Sequence, residues 1–173
     1  EGRKVLVVGL ARTGVAAARF LALRKARLIC TYLRTPEELG DVVGLLRDAG
    51  SLLRLGGHDG EDFLQADLIV VSPGVPLTIP PLEEARAAGV EIIGEVELAF
   101  RHITRPIIGI TGTTGKTTTV HLIASRLEEG GVSHWVGGNI GRPLTEFLLN
   151  PTGGKDGREP EVIVAELSSF QLE

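Results

Sequence analysis

A single cysteine, Cys30, leaves no internal disulfide to form, which fits a reducing, cytosolic setting. Cys30 itself reads as a small buried apolar residue in a strand. No apolar run approaches the roughly 18–20 residues of a membrane span. No signal peptide is visible, and the opening EGRKVLVVG already reads as the start of a strand. Basic residues are not in excess. Lys and Arg number 18 against 22 Asp and Glu, a net charge of −4, so nothing in the balance points to nucleic acid. The 23 glycines follow no Gly-X-Y period, which excludes collagen. With 43% hydrophobic residues and a mean hydropathy of +0.18, the chain can build a packed core and is not a disordered tail. At roughly 100–200 residues per domain, its 173 residues allow one domain or two small ones. It begins with Glu1 and stops at Glu173, just after an apolar strand-like run. We expect it to be the front part of a longer protein.

What is present is an alternation of strands and helices. Lys4–Val8, Leu28–Tyr32, Leu52–Leu55, Leu68–Val71 and Glu91–Ile93 read as strands. Thr13–Leu23, Pro36–Ala49 and Pro81–Ala88 read as helices, the second with Pro36 in its first turn and Gly50 just past its end. A second unit is expected to begin near Glu95, giving domains 1–94 and 95–173. It holds a strand over Pro106–Thr111, a helix to about Glu129, and strands over His134–Val136 and Val162–Ala165. Within that helix Val120, Ile123, Ala124 and Leu127 form one apolar face. The Gly-rich, charged stretch Asn150–Pro160 is expected to be a mobile loop. There is no solenoid repeat. Such alternation implies an α/β fold with parallel sheets: a Rossmann-like first domain, then the start of a P-loop domain.

Gly112-Thr113-Thr114-Gly115-Lys116-Thr117-Thr118 lies between a strand and a helix. Backbone N–H groups of such a turn converge on phosphate oxygens, helped by the positive end of the helix dipole. Lys116 supplies a cation for the β- and γ-phosphates, and the Thr117 hydroxyl is placed for Mg²⁺. The long pattern G-x-x-x-x-G-K-[ST] fails, since Ile110 stands where its first glycine belongs. The match is to a shorter form, G-x-x-G-K-T. Gly9 to Gly14 also joins a strand to a helix, but Ala11 replaces the middle glycine of a dinucleotide fingerprint, and no acid follows the second strand. That turn is either a phosphate-holding helix start, with Thr13 as a hydroxyl donor, or a structural one. Val162 to Glu166 is a strand ending in a carboxylate. Beside a phosphate loop, Glu166 is a candidate for Mg²⁺.

These residues resemble a known family. Thr111 to Thr117 looks like the ATP loop of the Mur ligases, which build the bacterial cell-wall precursor. Gly138-Asn139-Ile140-Gly141 and Glu166-Leu167-Ser168-Ser169-Phe170-Gln171 resemble the branch that joins D-glutamate to UDP-N-acetylmuramoyl-L-alanine. Gly9 to Gly14 and Ser72-Pro73-Gly74 agree with it. The resemblance implies a cytoplasmic, ATP- and Mg²⁺-dependent ligase working through an acyl phosphate, expected to be a monomer, with further domains outside this chain. By itself the chain is expected to be inactive. Carried over by position, Gly112 to Thr118 would hold ATP, with Lys116 at the γ-phosphate, and Thr117 and Glu166 would hold Mg²⁺. Asn139 would contact the muramoyl substrate, and Ser168 and Gln171 would belong to the substrate site. Arg12 and Thr13 would face the UDP diphosphate, with Ser72, Pro73 and Gly74 near the uracil. The family's modified lysine and metal-binding histidine are expected beyond Glu173, and His58, His102, His121 and His134 read as structural or surface residues.

Two departures stand out. Thr114 occupies a place where the family often has Asn. Thr31-Tyr32 stands where Asp-Thr is usual for the uracil. Three rival readings remain: a sister Mur ligase, a generic P-loop kinase or NTPase, and a nucleotide-sugar-binding module. The sister ligases are disfavoured by Ser168-Ser169-Phe170-Gln171. The P-loop enzyme leaves the first domain unexplained. The binding module would lack a nucleotide-dependent metal site.

Overall fold

Right-handed crossovers return a strand–helix–strand unit to the same sheet, so the alternation of elements builds parallel sheets covered by helices. The computed structural model describes residues 2–139, 141–152, 157 and 159–171. Two units are formed, Glu1–Leu98 and Ala99–Glu173. Among the described residues no helix is long and apolar enough to cross a membrane.

The first unit contains β1 (Lys4–Val8), α1 (Arg12–Leu23), β2 (Arg27–Tyr32), α2 (Pro36–Leu39), α3 (Asp41–Asp48), β3 (Leu52–Leu55), α4 (Gly60–Leu64), β4 (Leu68–Val71), α5 (Pro80–Ala87) and β5 (Ile92–Gly94). Its five strands are all parallel, in the order β3-β2-β1-β4-β5. After β1 the chain turns toward β2; after β4 it turns the other way, toward β5. With crossovers of one hand, α1 and α5 must then cover opposite faces of the sheet. The side-chain alternation agrees. Leu6, Val8, Ile29, Ile69 and Val71 share one face with Phe63 of α4 and with Leu82 and Ala85 of α5. The two directions of travel open a crevice at the carboxyl ends of β1 and β4, where ligands of such sheets bind.

The second unit follows α6 (Glu95–Phe100) with β6 (Ile107–Ile110), α7 (Lys116–Glu129), β7 (His134–Gly138), α8 (Leu144–Leu149), β8 (Val162–Glu166) and a 3₁₀ turn over Ser169–Gln171. Here the parallel order is β6-β8-β7, so β8, last in sequence, is central. All five of its residues are buried. Val120 and Ala124 of α7 are buried as well, as are Trp135, Leu144 and Phe147. The rings of Trp135 and Phe147 meet edge to face at 5.7 Å.

The expected α/β architecture is present, with local corrections. The single helix read over Pro36–Ala49 is two helices. Gly40, at φ 54° and ψ −129°, leaves helical space between them, and its N–H closes α2 on the Pro36 carbonyl. The short helices α4, α6 and α8, of five or six residues each, did not stand out in the sequence. Part of the Asn150–Pro160 loop, residues 153–156 and 158, lies outside the described residues, as do Ile140, Leu172 and Glu173.

Ile69 lies on the clustered face of β4 and is fully buried. Ile69→Ala should cost roughly 2–5 kcal/mol by the cavity it leaves. In urea the midpoint should fall with an unchanged slope. A loss below about 1 kcal/mol would mean that this core collapses around the gap.

Candidate functional site

In the second unit β6 runs into the loop Thr111–Gly115, and α7 starts at Lys116. Gly115 caps the helix in the left-handed region at φ 76°, and Gly112 has φ 142°. Both conformations favour glycine, so the loop backbone can curl at these two points. The helix start has no side-chain cap. Its first-turn N–H groups therefore face the loop, the arrangement that suits an anion. The ammonium of Lys116 folds back over the loop and donates to the Gly112 carbonyl at 2.7 Å. Thr119 donates its hydroxyl to the Gly115 carbonyl at 2.9 Å, which ties the first turn down.

Glu166 ends the central strand and is 3% exposed. In register it lies between Ile110, the last residue of β6, and Gly138, the last of β7. That register brings three separate segments to one carboxylate. Thr117 donates its hydroxyl to Oε2 at 2.9 Å. Asn139 donates from Nδ2 to Oε1 at 3.1 Å, and its backbone N–H donates to the Glu166 carbonyl at 2.7 Å. The approach is possible because residue 138 is glycine. At φ 106°, a Cβ there would stand 2.2 Å from the Glu166 carbonyl oxygen. A buried carboxylate that accepts bonds on both oxygens is held in one orientation at the strand end.

Mg²⁺ demands near-octahedral oxygen ligands at about 2.1 Å, which sets neighbouring ligands about 3 Å apart. The 2.9 Å separation of Thr117 Oγ1 and Glu166 Oε2 matches such an edge. Among the described residues no group of three or more His, Cys, Asp or Glu is arranged to hold a metal ion. A donor set of one carboxylate and one hydroxyl suits Mg²⁺ completed by phosphate and water, rather than a cage made wholly of protein.

The remaining site candidates divide between the units. Gln171 Oε1 accepts from the backbone N–H of Ser168 at 2.9 Å and from its hydroxyl at 3.1 Å. This closes a small turn just past Glu166. In the first unit, Ser72 is buried and donates its hydroxyl to the Gly9 carbonyl at 2.9 Å, linking the carboxyl ends of β1 and β4. Gly14 has no room for a side chain, since a Cβ would meet the Gly9 carbonyl oxygen at 1.8 Å. Arg12 opens α1 and is exposed, Thr13 is half-buried, and Pro73 and Gly74 are exposed. These residues border the crevice of the first sheet.

At the end of β2, Thr31 is 1% exposed. Its Oγ1 lies 2.8 Å from Nδ1 of His58 and 3.1 Å from the Gly57 carbonyl, to which it donates. The His58 ring meets Phe63 edge to face. Arg34 lies 5.7 Å over the ring of Tyr32. The Thr31–His58 pair joins β2 to the loop after β3, so no local pattern in the sequence signals it.

Residues 3–94 match the family model described as Mur ligase MurD-like, N-terminal domain. Over all 173 residues the chain is 50% identical to a UDP-N-acetylmuramoylalanine--D-glutamate ligase of Desulfatibacillum aliphaticivorans. It is 51% identical over the same length to the protein of that name from Geotalea daltonii. The chain spans 37% of the length of each of these relatives. Among solved structures, the UDP-N-acetylmuramate:L-alanyl-gamma-D-glutamyl-meso-diaminopimelate ligase from Neisseria meningitides aligns over 96% of this chain and 52% of its own. Its TM-score is 0.58 at 18% identity, a likeness of fold.

Burial lowers the pKa of His58, so the folded protein favours the neutral ring. The unfolded chain, with a His pKa of about 6.5, protonates first as pH falls. The stability that His58 contributes is therefore present above about pH 6.5 and is lost as pH drops through the folded value. Urea unfolding between pH 8 and 5 should show a shallower acid loss in His58→Gln than in the unaltered chain. Parallel curves would remove His58 from the pH response.

Proposed function

This chain belongs to the Mur ligases with a MurD-like N-terminal domain, and from that membership we propose that it is the front part of an ATP-dependent ligase adding D-glutamate to UDP-N-acetylmuramoyl-L-alanine. The observation that carries the reading is the closure of the phosphate loop onto the strand-end acid, Thr117 Oγ1 to Glu166 Oε2 at 2.9 Å. The choice of D-glutamate is supported by the names of relatives that match along the whole chain at about half identity.

The proposed reaction has two steps. The terminal carboxylate of the UDP-substrate attacks the γ-phosphorus of ATP, ADP leaves, and an acyl phosphate forms. The amine of D-glutamate then attacks the acyl carbon, and inorganic phosphate leaves through a tetrahedral intermediate. Charge develops on phosphoryl oxygens in the first step, and catalysis there is largely positioning and electrostatic stabilisation. Lys116 sits on the loop that would hold the phosphates and turns its ammonium toward the γ-position once phosphate displaces the Gly112 carbonyl. The loop N–H groups of 112–118 would hold the remaining oxygens. Thr117 and Glu166 would hold Mg²⁺, which when bound neutralises phosphate charge. Ser168 and Gln171, just past Glu166, would belong to the substrate site.

We assign residues 1–94 to UDP-substrate binding and 95–173 to the first part of the ATP-binding domain. Arg12 and Thr13 would meet the diphosphate from the start of α1, and Ser72, Pro73 and Gly74 the uracil. The reaction is placed in the cytoplasm, where ATP is supplied, by a monomer acting on these two small-molecule substrates.

The test uses the full-length protein with ATP, Mg²⁺ and the UDP-muramoyl-alanine substrate. It is offered L-alanine, D-glutamate, a diamino acid or D-alanyl-D-alanine in turn. Product should form with D-glutamate alone, and Lys116→Ala should lower turnover by at least about a hundredfold. UDP-substrate affinity should stay within about twofold, because Lys116 faces only the ATP phosphates. Product with another amino acid would assign the chain to a sister ligase. Phosphate release without any product would favour a generic NTPase.

A further inference from the structure

Charge is segregated along the first unit. Residues 2–36, which make β1, α1 and β2, hold eight of the chain's 18 basic residues and none of its 22 acidic ones. Several of these cations meet where α1 ends, at the amino ends of β1 and β2. Arg24, Lys25 and Arg27 are exposed there, and Leu23 beside them is 68% exposed. Arg19, also exposed, stands one helical turn before Leu23 on the same side of α1. The backbone holds this tip in place. The Gly2 N–H donates to the Lys25 carbonyl at 3.2 Å, and that of Arg27 to the Arg3 carbonyl at 2.9 Å. Lys25 and Ala26 close α1 by donating to the carbonyls of Ala22 and Leu21. In such a helix end the residue in the place of Lys25 takes left-handed angles and is usually glycine. Lys25 has φ 58°, and among the described residues it is the one non-glycine with a left-handed φ. A cation is thus held where the backbone favours a residue with no side chain.

The helix dipole accounts for a cation or two at the end of α1. It does not account for an exposed leucine among them, nor for the lack of any acid along β1, α1 and β2. Arg24 lies 5.5 Å over the Phe20 ring. Among the described residues no ion pair engages Arg19, Arg24, Lys25 or Arg27. On the β4 side the tip is bounded by Asp67, which accepts from the Lys4 N–H, and by Glu91, which pairs with Arg3. On the other side α3 ends in one charge of each sign, Arg47 and Asp48. Such a surface is complementary to an anionic bilayer. Cations draw it to the negative surface within a Debye length, and a leucine at their centre can enter the headgroup region while the basic stems lie along it. The leucine decides between lipid and a polyanion in water, because an apolar side chain gains nothing against a phosphate backbone. We propose that residues 23–25, with Arg19 and Arg27, dock the first unit reversibly on a membrane surface that bears anionic phospholipid. The crevice lies at the opposite, carboxyl ends of the same strands, so docking turns it away from the bilayer. The inference stands apart from the proposed reaction.

The test is flotation of the full-length protein with vesicles of phosphatidylcholine, alone or with about one third phosphatidylglycerol, at about 0.05 and 0.5 M salt. The protein should float with anionic vesicles at low salt, and stay behind with neutral vesicles or at high salt. Lys25→Gly removes one charge and suits the backbone. Its partitioning should fall by about fivefold, while its urea midpoint holds or rises. Arg24→Glu combined with Arg27→Glu should abolish flotation. Leu23→Ser leaves the charge unchanged and should still lower partitioning several-fold. No preference for anionic over neutral vesicles would overturn the inference, as would flotation that survives in all three variants. Loss in the charge variants with none in Leu23→Ser, matched by the same pattern of retention on heparin, would overturn lipid as the partner and assign the tip to a polyanion.

Discussion

A single buried carboxylate gathers the second unit's chemistry. Glu166 stands at the carboxyl end of a strand flanked on both sides by parallel neighbours. Its position makes the glycine-containing loop after β6, a helix start and a glycine-rich turn after β7 converge on one point. Leaving an ionised carboxylate buried without partners would cost several kcal/mol. The bonds from Thr117 and Asn139 offset that cost, and in doing so they also fix the distances that the proposed chemistry requires. The proposed function would therefore rest on the same contacts as the stability of this sheet end.

The first unit meets a different constraint, the close approach of backbone to backbone. Its crevice lies where the chain reverses direction across the sheet, between β1 and β4. There the Gly9 carbonyl lies so near α1 that residue 14 can carry no side chain, and the same carbonyl accepts from the buried Ser72 hydroxyl. Ser72 thus sets the shape of the crevice through the backbone. The helix start at Arg12 and Thr13 follows directly on that carbonyl, where the proposed diphosphate would meet its dipole.

Much of this could be read from the sequence where the cause is local. Strand, glycine turn and helix occur in order around Lys116, so the strand–turn–helix frame there was legible from spacing alone. Val162 to Glu166 read as a buried strand with an acid at its end, and it is one. What was not legible depends on register between distant strands. Nothing near Asn139 says that Gly138 pairs with Glu166, yet that pairing turns the Asn139 amide onto the acid. The Thr31–His58 contact is hidden for the same reason. The break at Gly40 was missed because an apolar pattern continues across it, while only the backbone angles show the interruption. Helices as short as α4 and α8 hold too few turns for a period to emerge.

The central claim is that Thr117 Oγ1 and Glu166 Oε2 form one edge of a divalent-cation site beside the phosphate loop. Anomalous diffraction at the manganese edge, from crystals of the full-length protein grown with Mn²⁺ and ADP, addresses it most directly. The account predicts a manganese peak within coordination distance of both oxygens, about 2.0–2.3 Å, with the ADP phosphates in the loop 112–118. A nucleotide bound in that loop with manganese away from both oxygens would contradict it.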